Sequence, residues 1–195
     1  MELHSNSTDG SAGPPSCACC KPASLSRRSV IAGFACVAAL PPTSAALAAV
    51  SSIPAEDERY MRMAIAEARR ADFPFGAVIV REGHILARGR NLGRSTKDPT
   101  AHGEMVAIRR YLGKHGSKSL NGATLYTSGE PCVMCMGAIL WCRVGRLVYA
   151  ASVQQLATKI DQIMISSVDV AAKAAFAPIS IKGGVLADEA MRLFK

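Results

Sequence analysis

Two short runs, His102-Gly103-Glu104 and Pro131-Cys132-Val133-Met134-Cys135, constrain the fold more tightly than anything else in the sequence. Cys132 and Cys135 are three apart at a helix start that Pro131 opens without wasting a donor. That spacing puts both sulfurs on one face, where the helix dipole and free backbone N–H groups favour thiolates. His102, at the start of another helix, can bring a neutral imidazole to the same point. Three ligands of mixed nitrogen and sulfur type leave the fourth tetrahedral position open to water, the pattern of a catalytic zinc site. Cys142 cannot close it, because seven residues along one helix is about 10 Å; it reads as a small buried apolar residue. His84 and His115 read as surface residues.

The surrounding pattern supplies elements to hold such a site. Met61, Ala64, Ile65 and Ala68 recur at helical spacing, so Asp57 to Ala71 is predicted as an amphipathic helix. Ala77 to Val80 and Ile85 to Arg90 flank Glu82-Gly83 as a hairpin. Asn91 to Pro99 is a polar loop, and His102 opens a helix to about Lys114. Ala123 to Ser128 is a third strand, Cys132 to Cys142 a helix and Arg146 to Ala151 a fourth strand. From Val153 to Ala177 the pattern is helical and weakly punctuated, followed by a short strand at Ile179 to Ile181 and a helix from Asp188 to Phe194. Strands alternating with helices imply an α/β layer fold with some parallel pairing.

The first 48 residues are of another kind. Residues 1 to 25 have no periodicity, and Ser26-Arg27-Arg28-Ser29 then precedes the apolar run Val30 to Leu40 and the small-residue stretch Ala45-Ala46-Leu47-Ala48-Ala49. This is the three-part plan of an export signal, and the paired arginines resemble a twin-arginine signal for folded cargo. Eleven apolar residues fall short of a spanning helix, so no permanent membrane anchor is expected. The expected division is a leader at 1–48, cut after Ala48, and a domain at 49–195, with the mature protein in the periplasm or otherwise exported. If 1–48 is not a signal, the protein stays in the cytoplasm. Four of the seven cysteines, Cys17, Cys19, Cys20 and Cys36, fall in the leader. The odd three left in an exported domain argue against a disulfide framework and for a metal clamp or redox pair.

With 195 residues, 49% hydrophobic and 19% charged, the chain suits one globular domain with an appendage and excludes disordered, collagenous and multidomain readings. The mean hydropathy of +0.17 is high for 5% aromatic content, and the leader explains it. Its loss removes three cations (Lys21, Arg27, Arg28) and two anions (Glu2, Asp9), so +8 becomes +7 over 147 residues. Nine Lys or Arg against three acids lie between Arg81 and Lys118, a balance that serves either as a solvated face or to steer an anionic partner such as RNA.

Taken together, His-x-Glu and Pro-Cys-x-x-Cys match the signature of zinc-dependent nucleobase deaminases. Pro74-Phe75-Gly76-Ala77-Val78-Ile79-Val80, Gly89-Arg90-Asn91, Asp98-Pro99-Thr100-Ala101 and Leu125-Tyr126-Thr127-Ser128-Gly129-Glu130 extend the match, so about Glu58 to Ala151 resembles a cytidine-deaminase-like domain. The resemblance implies a three-layer α/β/α sandwich with a mixed five-stranded sheet, commonly a homodimer. It implies zinc, one ion per chain, on His102, Cys132 and Cys135. Glu104 would take a proton from water at the open position and pass it to the ring nitrogen and the departing amine. It further implies Asn91 on the substrate's ring edge, the backbone of Ala77 and Glu130 completing the pocket, and Phe75 and Trp141 as walls or stacking partners. The branch is that of guanine, tRNA adenosine and fungal-type cytosine deaminases. Pro74 to Ala77 and Gly137 to Trp141 are similar to guanine deaminases, Ile181 to Glu189 to tRNA adenosine deaminases, and His-Gly-Glu to cytosine deaminases. A free nucleobase or nucleoside, guanine first, is the expected substrate, since an exported domain meets no tRNA. Editing of tRNA adenosine and an inactive zinc-binding relative are the alternatives.

Overall fold

The computed structural model describes residues 53–116 and 120–195. The leader with its four cysteines, and Lys118, lie outside them. The elements are α1 (Ala55–Ala68), β1 (Gly76–Arg81), β2 (His84–Arg90), α2 (Gly103–His115), β3 (Thr124–Gly129) and α3 (Val133–Trp141). They continue as β4 (Arg146–Ala151), α4 (Val153–Leu156), α5 (Ser167–Ala172), β5 (Ser180–Lys182) and α6 (Ala187–Met191).

The strands form one sheet in the order β2-β1-β3-β4-β5. β1 is antiparallel to β2 and β3, while β4 is parallel to β3 and β5. The hairpin turn is as read: Glu82 and Gly83 have φ of 50° and 75°, both in the left-handed region that a two-residue turn needs.

β1, β3 and β4 are buried on both faces, which accounts for the continuous apolar runs at 77–80 in β1 and 147–151 in β4. Ala77, Ile79, Leu125 and Leu147 pack with Ala107 and Ile108 of α2 and Met136 and Ile139 of α3. Their strand neighbours Val78, Val80, Tyr126 and Val148 pack on the opposite side with Tyr60, Met61, Ala64 and Ile65 of α1 and Ala190 of α6. Each fully buried Val, Leu, Ile or Met side chain among them contributes about 1.5–3 kcal/mol. The result is the expected α/β/α sandwich on a mixed five-stranded sheet.

The stretch 153–177 differs from the helical reading. Only α4 and α5 are helical, separated by an irregular path at 157–166. Ser152 and Gln155 form a capping box that starts α4, and Ser166 accepts from the Asp169 N–H to start α5, so two helices are specified where periodicity implied one. The last helix is shorter than expected, ending at Met191.

Candidate active site

The antiparallel β1/β3 register sets the start of β1 beside the end of β3, where the Gly76 N–H donates to Ser128 Oγ at 3.0 Å. Both α2 and α3 begin at this end. Gly89 lets α2 settle onto β2, since a Cβ there would collide with the Gly103 carbonyl and the Ala107 nitrogen. The approach to His102 is held by Asp98, whose Oδ1 accepts from the Thr100 N–H at 2.8 Å and from Thr100 Oγ1 at 2.6 Å.

His102 and Cys132 occupy the N-cap positions of α2 and α3, both with extended backbone. His102 Nδ1 lies 3.6 Å from Cys132 Sγ and 3.6 Å from Cys135 Sγ, and all three ligand atoms lie within 4.8 Å of one another. A tetrahedral centre with Zn–S near 2.3 Å and Zn–N near 2.0–2.1 Å requires N···S separations of about 3.6 Å. The donor set therefore fits zinc in number, chemistry and spacing.

The electrostatics agree. Cys132 is drawn well below the usual thiol range, first by hydrogen bonding with Cys135 and then with His102. Cys135 is pushed up by the same pairing and by burial, and a metal binds such thiols as thiolates, with release of protons. Hydrogen bonding to Cys132 raises His102. Glu104 is 3% exposed, and burial lifts its carboxyl above the ordinary range, while Thr127 Oγ1 donates to its Oε1 at 2.9 Å.

A cavity of about 50 Å³ is lined by Phe75, His102, Glu104, Glu130, Cys132 and Gln162. Asn91, buried at the end of β2, lines an adjoining groove with Phe73, Gly93, Arg94, Pro99 and His102, and its Oδ1 accepts from the Gly93 N–H at 3.0 Å. Two other residues named from the sequence are not among those lining this cavity. Ala77 is enclosed in β1 between Gly89 and Thr127 and does not line the cavity. Trp141 is nine residues past Cys132, about 13 Å along α3; it is 75% exposed and stacks on Phe176 at 4.8 Å. Glu130 lines the cavity, but its side chain is engaged: Oε2 accepts from the Val153 N–H at 2.8 Å and Oε1 from the Ser167 N–H at 2.7 Å. Gln162 was not foreseen. The serine caps at 152 and 166 were the available signal that the chain breaks between them.

Residues 54–151 match the model of the cytidine and deoxycytidylate deaminase zinc-binding region, and the chain belongs to that family. A guanine deaminase of Bacillus subtilis is 51% identical over 78 residues, 40% of this chain and 50% of that protein. A tRNA-specific adenosine deaminase of Aquifex aeolicus is 39% identical over 98 residues, 48% of this chain and 65% of its own length. Among solved structures, the guanine deaminase from Nitrosomonas europaea is similar with a TM-score of 0.63 at 25% identity, over 73% of this chain and 83% of that one. The chain thus spans half to two thirds of these curated relatives.

Proposed function

We propose that this protein is a zinc-dependent hydrolase that deaminates a free nucleobase or nucleoside, guanine to xanthine, releasing ammonia. The observation that carries the reading is the buried Glu104 carboxyl in the same small cavity as the His102 and Cys132 ligand atoms. Bound by His102, Cys132 and Cys135, zinc supplies a Lewis acid that brings the pKa of water near neutrality. Glu104 takes one proton from the attacking water and delivers it to the ring nitrogen as the C–O bond forms; the second water proton then passes to the amino group as the C–N bond breaks and ammonia leaves. Thr127 holds Oε1, which leaves the other oxygen to carry the proton. Asn91 spends its Oδ1 on Gly93 and keeps its amide N–H groups for the ring edge, and Phe75 forms an apolar wall.

Ammonia release and product chromatography from zinc-loaded residues 49–195, against guanine, adenine, cytosine, their nucleosides and a tRNA anticodon stem, test the reading. Guanine turnover is expected, and Glu104→Ala should abolish it while keeping one zinc per chain. Near-wild-type turnover in that variant would sink the mechanism. Editing of tRNA adenosine is the second reading, favoured by the Aquifex relative and by the cations between Arg81 and Lys118; it requires binding that weakens steeply with salt.

The same proposal includes export of the 49–195 domain by the 1–48 leader, which Arg27→Lys with Arg28→Lys should block. Among the described residues no helix is long and apolar enough to cross a membrane. It also includes a homodimer, supported by the exposed Trp141, Val168 and Phe176 side chains; a monomeric mass by light scattering would remove it.

A further inference from the structure

We infer that Glu130 is a positioning residue whose carboxylate holds the 153–167 segment closed over the metal site, making Gln162 on that segment a substrate-selecting side chain. The inference rests on the deaminase reading and goes beyond it, because the segment begins after residue 151, where the family match ends.

The geometry is specific. Val153 and Ser167 are the first residues of α4 and α5, whose N–H groups have no partner within their own helices. One carboxylate satisfies both, at 2.8 and 2.7 Å, one oxygen to each helix. Glu130 is 5% exposed, and its own N–H donates to the Ala151 carbonyl at 2.7 Å, so the clamp is fixed to the end of β4. Tyr149 stands beside it: burial raises its phenol pKa, with the neighbouring Glu130 charge adding to the rise. Glu130 also lies two residues before Cys132, so the group that pins the segment is continuous with the ligand loop.

Between the pinned ends, Leu156 is fully buried and anchors the entry, whereas Ile163, Met164 and Ile165 are about half exposed. Gln162, half-buried between them, lines the same cavity as His102 and Glu104. A carboxamide both donates and accepts, so it complements a ring edge that presents a donor and an acceptor side by side. The lactam of guanine, N1–H next to O6, is such an edge; 2-aminopurine carries the same reacting amino group and lacks it. A site that hydrogen-bonds a polar edge rejects the analogue without it.

Hydrogen exchange and steady-state kinetics on the zinc-loaded full-length protein decide the matter, with Glu130→Gln, Glu130→Asp and Gln162→Leu. Glu130→Gln keeps one acceptor of two. It should speed exchange across 154–166, leave one zinc per chain, and raise KM for guanine on the order of tenfold with a smaller loss in kcat. Glu130→Asp, with the charge retained, should fall between it and wild type. Gln162→Leu should leave exchange unchanged and cut the guanine preference over 2-aminopurine on the order of tenfold. Unchanged exchange in a folded, zinc-loaded Glu130→Gln protein overturns the clamp, and an unchanged preference in Gln162→Leu overturns the selection. If wild type turns over no base, the deaminase reading and the selection fail together. The exchange data then still support the clamp where Glu130→Gln loosens 154–166 and overturn it where it does not.

Discussion

His102 sits where a helix favours Ser, Thr, Asp or Asn, yet its side chain makes no capping bond to α2 and turns instead toward Cys132 and Cys135. An unfilled cap costs about 1 kcal/mol, and binding of a metal at the triad offsets it. The two functions therefore separate in one substitution. His102→Asn supplies a good capping group and removes the imidazole ligand. In chelator, its urea midpoint should exceed that of wild type, by about 1 kcal/mol in stability. Its zinc affinity should fall by more than the roughly 10–100-fold typical of an outer-shell change. Equal stability in chelator would show that the α2 start is satisfied in some other way. Glu104, two residues on, is not one of the three triad residues, and its substitution should leave zinc content unchanged.

At the scale of elements, α2 is set by a close approach. A Cβ on Gly89 would meet the backbone of Gly103 and Ala107, so Gly89→Ala must push the α2 start, and His102 with it, away from the sheet. Overpacking of this kind costs about 1–3 kcal/mol; circular dichroism melting should show that loss, together with weaker zinc binding. Unchanged zinc affinity would mean that α2 yields elsewhere. The hairpin, β4 and the helix starts at His102 and Cys132 were legible because each is written locally, in a Glu-Gly turn, a run of apolar strand residues or a ligand motif at a helix N-terminus. α4 and α5 were not. Their start signals, Ser152 with Gln155 and Ser166 with Asp169, are present, but at four and six residues these helices owe their places to Glu130, more than twenty residues earlier. The same holds for Gln162, which reaches the cavity only because both ends of its segment are tied down. Trp141 is a different case, since a local likeness to a pocket residue carries no information on its distance along α3 from the ligands.

At the scale of the 49–195 domain, α1 is tied to the sheet through Asp57. This residue of α1 pairs with Arg146 of β4 through two bonds of 2.7 Å, accepts from the Tyr126 hydroxyl of β3 at 3.0 Å, and lies 3.4 Å from Lys182 of β5. Its side chain is 3% exposed. Hydrogen bonding from Arg146, above all, holds the Asp57 carboxyl below its ordinary value, against the opposing effect of burial. A carboxyl whose folded pKa is depressed contributes stability above its unfolded value of about 3.9, and that contribution is lost as pH falls through the folded value. Stability should therefore hold in the neutral range and fall below about pH 4. Asp57→Asn leaves Arg146, about one third exposed, without its charge partner; at pH 7 this should cost about 2–3 kcal/mol, below the 3–5 of a fully buried pair. The variant should also lose less stability between pH 5 and 3 than wild type. Hydrogen bonds also hold Asp72 and Asp98 below the ordinary carboxyl value, but both proteins retain them, so the difference between the two urea-midpoint curves isolates Asp57. Chelator in both samples removes the protons coupled to thiolate ligation. Parallel curves from pH 7 to 3 would show that the link between α1 and the parallel strands is held by packing alone.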